Sequence, residues 1–369
     1  MILPDSRRTY RAIYDYLEKL WCVDPGKRQL NNLNTLSSFI CGILQSKQVK
    51  LADVVGDIPC SGKEESRIMR LRRWLNNPAV HVDGFYLPVI EQLLGSLRSQ
   101  PLVLAIDGST VARGCISLVV SLIYKGRAIP LLWLTRKGKK GHFPEQMHID
   151  LLKAVHDLIP EGTTVIMLGD GEFDGTHWLA LLEAYGWKYS CRTAKNSKCY
   201  EQGEDFRLMD ICPQRGGMTE VAEVGFTDQR VLKLRVVAYW GREYDEPLYL
   251  VTNFPVGREA VHWYKKRYRI ETLFSDLKGR GFNLQKSGLR NPERVDRLLI
   301  ALALAYIWLI DLGEQVLANG WEALIHRKDR CDCSLFTLGK RFLKYVLKNA
   351  YPIPPFRLIL NGNRLELGQ

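Results

Sequence analysis

Two aspartates in this 369-residue chain each close a short apolar run. Asp107 follows Leu-Val-Leu-Ala-Ile and Asp170 follows Val-Ile-Met-Leu-Gly, so each side chain is expected to emerge at the end of a buried strand. Either one alone also fits a turn, because Gly108 and Ser109, or Gly171 and Glu172, stand beside it. If the two strands pair side by side, the carboxylates converge at one end of the sheet. A third acid, Glu271, shares a periodic stretch with Tyr264, Arg267 and Lys278, which lie at offsets of 3, 7 and 14 from the tyrosine. At about 3.6 residues per turn, those offsets place all four in a stripe of roughly 60° on one helix face. A solvated charged face is the plainer alternative for Glu271 and Lys278. The apolar company of Trp263, Ile270, Leu273, Phe274 and Leu277 argues instead for a helix packed on a core, with its polar stripe bordering a cleft.

Three carboxylates with no cysteine-histidine cluster form a hard oxygen donor set, suited to Mg²⁺ or Mn²⁺ rather than Zn²⁺. Two such ions about 3.5 to 4 Å apart can activate a water or sugar hydroxyl and stabilise the leaving oxygen of an in-line phosphoryl transfer. On the same face, Arg267 can grip a phosphate in bidentate fashion, Lys278 can act as a point charge, and Tyr264 can donate a hydrogen bond.

Charge points to the same kind of partner. The 52 Lys and Arg against 40 Asp and Glu leave a formal charge of +12, which favours a polyanion: nucleic acid first, an anionic membrane surface second. Lys125, Arg127, Arg136, Lys137, Lys139 and Lys140 crowd one stretch that has no acidic residue, and Lys340, Arg341 and Lys344 line a late amphipathic segment. Such cations position a phosphate backbone without reading bases. The nine cysteines are odd in number and scattered, a reduced intracellular pattern, and Cys331 and Cys333 read as incidental thiols rather than zinc ligands. No signal-peptide pattern opens the chain, and the longest apolar run, Leu298 to Ile310, has the length of a buried helix and not of a membrane span. A cytoplasmic protein is expected.

Those residues need elements to carry them. The first hundred residues follow a helical period, with a compact helix pair (Leu33 to Leu44, then Leu51 to Val55) and a basic helix from Ser61 to Leu75 that ends at Asn76-Asn77-Pro78. A helix-turn-helix fits the pair. The cations of the third segment, Lys63, Arg67, Arg70, Arg72 and Arg73, fit either a phosphate track or a solvated face. From Pro101 the period shortens to strands at Leu102 to Ile106, Ile116 to Tyr124 and Ala128 to Leu134, separated by turns at Asp107 to Gly114 and Lys125 to Arg127. A helix at 143 to 158, a strand at Val165 to Leu168, a helix at 174 to 185 and a strand at Trp187 to Arg192 complete the order β-β-β-α-β-α-β of a ribonuclease H-like core. Further β-type runs, Val231 to Trp240 and Leu248 to Thr252, then interrupt it. Helices are expected at 258 to 279, 292 to 318 and 335 to 347.

The spacing Tyr264-x2-Arg267-x3-Glu271-x6-Lys278 resembles the YREK signature of the DDE cut-and-paste transposases of bacterial insertion sequence 4 type. Ala105-Ile-Asp-Gly-Ser-Thr110, Tyr124-Lys-Gly-Arg-Ala-Ile-Pro-Leu-Leu-Trp133, Leu168-Gly-Asp-Gly-Glu-Phe173 and Pro247-Leu-Tyr-Leu-Val-Thr-Asn253 support it, over roughly residues 60 to 310. The resemblance implies that Asp107, Asp170 and Glu271 form a catalytic triad holding two Mg²⁺ ions, with Mn²⁺ able to substitute, and that Tyr264, Arg267 and Lys278 touch DNA, with Lys137, Lys139 and Lys140 as further contacts. It also implies a homodimer on the terminal inverted repeats, nicking, a hairpin intermediate and joining to target DNA, in a bacterial, nucleoid-associated setting. Relatives stack a flipped base on a Trp where this chain has Leu248; Trp240 and Tyr249, with Tyr244, are the aromatic candidates nearby. The fold class is α/β: a helical DNA-binding region (1–95), a ribonuclease H-like core (96–194), a β-rich insertion (195–255), core helices carrying the Glu (256–318) and a helical C-terminal region (319–369). A structure-selective nuclease on the same core, or a domesticated DNA-binding protein without catalysis, are the alternative readings.

Overall fold

The computed structural model describes residues 4–20, 26–97, 100–139, 143–228, 232–327 and 332–358. Its first part is helical, as the periodicity requires: α1 (Asp5–Leu20), α2 (Lys27–Ser46), α3 (Leu51–Val54), α4 (Glu64–Leu75), α5 (Val82–Phe85) and α6 (Leu87–Gly95). The second member of the expected helix pair is only the single turn α3. The longer α4 also docks on α2, through Phe39 and Trp74 with ring centroids 5.9 Å apart and a 3.1 Å bond from Trp74 Nε1 to the Asn32 carbonyl. That packing takes Arg70 out of any phosphate track, since its Nε donates to Thr35 Oγ1 at 3.1 Å and its Nη1 contacts Cys60 Sγ at 3.4 Å. Arg72 and Arg73 remain exposed.

The core follows the predicted order: β1 (Leu102–Ala112), β2 (Cys115–Tyr124), β3 (Arg127–Lys137), α7 (Glu145–Leu158), β4 (Val165–Gly169), α8 (Thr176–Ala184) and β5 (Lys188–Arg192). Every residue of β2 is buried, which explains its continuous apolar run. Lys125 and Gly126, both at positive φ (40° and 74°), make the tight turn into β3, a conformation that suits the twist of a two-residue hairpin. The β1 strand is antiparallel to β2 and parallel to β4, β4 is parallel to β5, and α7 and α8 provide the crossovers. The resulting spatial order β3-β2-β1-β4-β5 is that of a ribonuclease H-like sheet.

The chain then adds β6 (Lys198–Glu201), β7 (Glu204–Arg207), β8 (Met218–Phe226), β9 (Lys233–Tyr239) and β10 (Leu248–Thr252). These strands do not form a sheet of their own. Antiparallel pairing of β10 with β5 extends the core sheet through β9, β8 and β6 to β7, giving ten strands in one sheet among the described residues. Val231, where the strand at β9 was expected to begin, lies outside the described residues.

Helices α9 (Gly257–Tyr264), α10 (Arg269–Leu277), α11 (Pro292–Ala318) and α12 (Leu335–Lys348) complete the fold. The continuous helix expected at 258 to 279 is therefore broken. Residues 265–268 form tightened turns, with Lys266 N bonding to Trp263 O, Arg267 N to Tyr264 O and Glu271 N to Tyr268 O, all of the i to i+3 kind. Lys278 lies past the end of α10, in a non-helical conformation. A stripe computed at one constant helical pitch does not apply across such a break. The 27-residue α11 is buried around most of its circumference and packs on α2, α12 and β3, so its apolarity belongs to the core. Among the described residues no helix is long and apolar enough to cross a membrane.

Candidate active site

The register of β1 against β4 places the two aspartates. Their last parallel pair is Ala105 with Leu168, and Asp107 and Asp170 each stand two residues further on, at equal height on neighbouring strands, which run about 4.8 Å apart. The expectation that Asp107 follows its strand needs correcting: β1 runs on to Ala112 and Asp107 lies opposite Val119 of β2. What ends is the other neighbour, β4, at Gly169. Asp107 thus sits where β1 outruns its parallel partner, and the cleft opens there.

Burial, reinforced by the charge of Asp170, pushes the Asp107 carboxyl up to about 6, against the opposing pull of Arg267 and the Gly108 N–H. Asp107 Oδ1 accepts that N–H at 2.7 Å. Asp170 Oδ1 accepts from Glu172 N at 3.2 Å, so the turn reading of Asp170 is also correct: it caps its own turn while bordering the cleft.

The 265–268 turn delivers Arg267 between two acids. One guanidinium nitrogen lies 3.2 Å from Asp107 Oδ2 and the other 2.7 Å from Glu271 Oε1. Asp107 and Glu271 are therefore separated by no more than the span of one guanidinium and its two bonds. Lys278 Nζ reaches Ser109 Oγ at 2.7 Å from the far side of α10. Asp107, Asp170, Glu271, Arg267, Lys278 and Ser109 line one cavity of about 470 Å³. Tyr264 lies behind Arg267, its ring centre 6.0 Å from the guanidinium carbon, and burial raises its hydroxyl pKa.

This donor set fits hard divalent cations. The cavity wall offers three carboxylates and no histidine or cysteine. Burial is the main cause of the raised Asp107 pKa, and the neighbouring Asp170 charge adds to it against the pull of Arg267.

Several contributing residues escaped the sequence reading. Phe143 packs flush on Gly108, where an added Cβ would stand 2.4 Å from its ring, and the Phe143 N–H donates to Glu172 Oε1. Buried His148 approaches Glu172 at 3.6 Å. Phe143, which follows the basic segment after β3, is thereby held to Gly108 of β1 and to Glu172 just past β4. Lys137 and Lys139 are exposed on that segment, and Lys140 lies outside the described residues. Glu172 and Phe143 had only a weak signal, one in a quoted motif and the other a lone aromatic after a glycine-rich run.

A second cavity, of about 580 Å³, shares Asp170 and Arg267 with the first and adds Arg192, Lys195, Met209 and Tyr249. Of the two stacking candidates the structure brings only Tyr249 here; Trp240 is held in a separate turn by its bond to the Tyr244 carbonyl at 3.1 Å. Leu248 packs into a small apolar cluster with Val237, Leu250 and Val261. Cys333 lies with His326 and Asp332 within 4.8 Å. Arg327 lies 3.2 Å from Asp332 and Arg341 3.5 Å from His326 in this group.

No curated protein matches the chain. Among solved structures, the cryo-electron-microscopy structure of the piggyBac transposase synaptic complex with hairpin DNA is 11% identical with a TM-score of 0.48, covering 95% of this chain and 81% of that one. The crystal structure of human ENDOV is 13% identical with a TM-score of 0.22, covering 57% of this chain and 91% of that one. The family model described as the transposase DDE domain matches residues 98–308, more than half of the chain and the whole stretch from Asp107 through Asp170 to Glu271, so the chain belongs to the transposase DDE domain family.

Proposed function

We propose that the protein is a DNA transposase of the cut-and-paste kind, similar to the insertion sequence 4 group, in which Asp107, Asp170 and Glu271 are the catalytic carboxylates. The observation that carries this reading is the equal height of Asp107 and Asp170 on adjacent parallel strands, with Glu271 tied to Asp107 through Arg267. The three carboxylates would hold two Mg²⁺ ions, or Mn²⁺ in their place, which supply charge neutralisation to the attacking and leaving oxygens of an in-line displacement. The chain's own groups orient the substrate. Lys278, braced by Ser109, and Arg267, freed from one carboxylate, grip phosphate oxygens next to the scissile bond, and Tyr264 adds a hydroxyl donor.

The exposed Lys137 and Lys139, with Lys140, hold the backbone beyond the cleft, and Tyr249, in the adjoining cavity, is the better-placed platform for an unstacked base if the reaction passes through a hairpin. We further propose that the helices of residues 1–95 bind the terminal inverted repeats, that residues 195–255 act as an inserted unit on the catalytic sheet, that residues 319–369 form a C-terminal helical region, and that a homodimer works on the DNA in the bacterial cytoplasm.

Incubation with DNA carrying the native ends and Mg²⁺, followed by a denaturing gel, tests this. Nicks, hairpins and joined products are expected. Asp107→Ala, Asp170→Ala and Glu271→Ala should each abolish cleavage while DNA binding persists, and full cleavage by any one removes that residue from the triad. Cutting without joining of a 3′-hydroxyl end to target DNA would favour the nuclease reading.

A further inference from the structure

Away from the catalytic cleft, α2, α11 and α12 meet around a cavity of about 280 Å³. Its floor is apolar, built from leucines of the three helices and Phe282. Its rim carries Lys47, Lys340, Lys344 and Lys348, and Asp5 is the one acid that lines it. Lys340, Lys344 and Lys348 recur every four residues, so they form one row along α12. Like charges at that spacing repel one another along the helix. Lys47 occupies a left-handed conformation (φ 57°) at the end of α2, which a residue with a Cβ disfavours. Burial lowers the Lys340 pKa, and the charges of Lys47 and Arg127 lower it further against the pull of Asp276.

A row suits a polymer better than a small anion. Two helical turns span about 12 Å, a length over which one strand of B-DNA presents three or four phosphates, roughly one per 3.4 Å. Lys47, Lys344 and Lys348 are exposed beside the apolar floor, on which their stems can lie, whereas Lys340 is half-buried. The cavity also adjoins the catalytic one. Gly281, Phe282 and Asn283 all donate backbone bonds to the Lys278 carbonyl, so a single turn presents Lys278 to the catalytic cleft and Phe282 to the lysine cavity.

We infer that the α12 lysine row and Lys47 form a second DNA-backbone site, holding the phosphates of duplex that continues past the 278–283 turn. The inference rests on the reading of DNA as substrate.

The test uses the full chain, a 30-base-pair duplex and no divalent ion, with affinity followed by fluorescence anisotropy over a salt series. In the combined Lys47→Gln, Lys344→Gln, Lys348→Gln protein, the slope of log affinity against log salt should shrink by about 2 to 3, because each lost phosphate contact removes roughly 0.9. Lys340 is left in place because it also donates to the Arg280 carbonyl at 3.3 Å. Glutamine keeps helix propensity, and the matching Lys→Arg set, which keeps the charge, should restore the wild-type slope; a loss in both sets would mean a damaged fold rather than a lost contact and would overturn the inference. An unchanged slope in the Gln set overturns it too, as does a cavity that answers only to pyrophosphate, read as a lysine-dependent melting shift without any change in duplex binding. Failure of the wild-type protein to bind any duplex would instead sink the parent reading.

Discussion

Replacing Asp107 with asparagine should make the metal-free protein more stable near neutral pH while destroying the proposed active site. In the fold this carboxyl titrates at about 6 instead of 3.8, chiefly because it is buried and secondly because Asp170 stands beside it. Its side chain is 19% exposed, so solvent screens it only in part. The folded state holds the Asp107 proton more tightly than the unfolded chain does. The stabilising contribution is complete below about pH 4 and is lost as pH rises through about 6, amounting to roughly 3 kcal/mol from a shift of that size. Asparagine carries no charge and still accepts the Gly108 N–H, but it weakens the Arg267 contact by about 1 kcal/mol. The net gain expected at pH 7.5 is about 1–2 kcal/mol, vanishing towards pH 4. Urea denaturation at pH 4, 5, 6 and 7.5, without divalent ions, measures it. Millimolar Mg²⁺ should then reverse the order, because only the wild-type site gains stability from binding. A difference between the two proteins that is flat across pH would refute the burial of the Asp107 carboxyl and the raised pKa that follows from it.

The other expectations concern packing and one more buried acid. Gly108→Ala places a methyl 2.4 Å from the Phe143 ring; it should cost about 1–3 kcal/mol in urea denaturation, and Phe143→Leu in the same chain should recover part of the loss. Gly313→Ala should cost a similar 1–3 kcal/mol, because its Cβ would stand 2.1 Å from the Leu335 carbonyl oxygen where α11 and α12 touch; a melting temperature equal to wild type would show that the helices separate more easily than this contact allows. Asp311, pushed up to about 6 by burial despite bonds from Gln315, Arg357 and Leu358, gives its stabilising contribution at low pH and loses it as pH rises through about 6. Asp311→Asn should therefore flatten the fall in stability between pH 4 and 6, and an unaltered pH profile would count against that burial.

Much of this architecture is written in local pattern. The strands β1 to β5 and the crossovers α7 and α8 follow from apolar runs and turn residues, because strands in the middle of a sheet buried on both faces carry continuous hydrophobicity. What local pattern cannot reveal is support from distant chain. Asp107-Gly-Ser-Thr reads as a turn, yet β2 pairs with it along its length and holds it as strand. Residues 198–252 carry β signals, but nothing in them says that β10 will join β5, since that depends on an open edge of the core sheet. The site residues were legible because carboxylates, a phosphate-gripping arginine and a lysine at fixed spacing are chemically distinctive. Glu172, Phe143 and Ser109 were not, because their roles exist only once two strands and a loop have met.

The break between α9 and α10 shows the same limit in its sharpest form. Lys265, Lys266, Arg267 and Tyr268 contain neither glycine nor proline, and each is compatible with a helix interior. The interruption must therefore be imposed by tertiary contacts rather than by propensity. Those contacts are visible: Arg267 is pulled to Asp107, a residue 160 positions earlier, while keeping its bond to Glu271 four residues later. The Arg267–Asp107 bond, which a continuous helix would not need to supply, is charge-assisted and of about 1.5–3 kcal/mol, enough to offset the loss of one or two regular helical bonds. The turn also leaves Tyr264 on α9, which packs against β5, β9 and β10, and Glu271 on α10, which packs against β1, β2 and β3. Each half of the signature is thus anchored to a different half of the sheet. Residues 265–268 join the two helices, so a change of conformation there would move Glu271 relative to Tyr264.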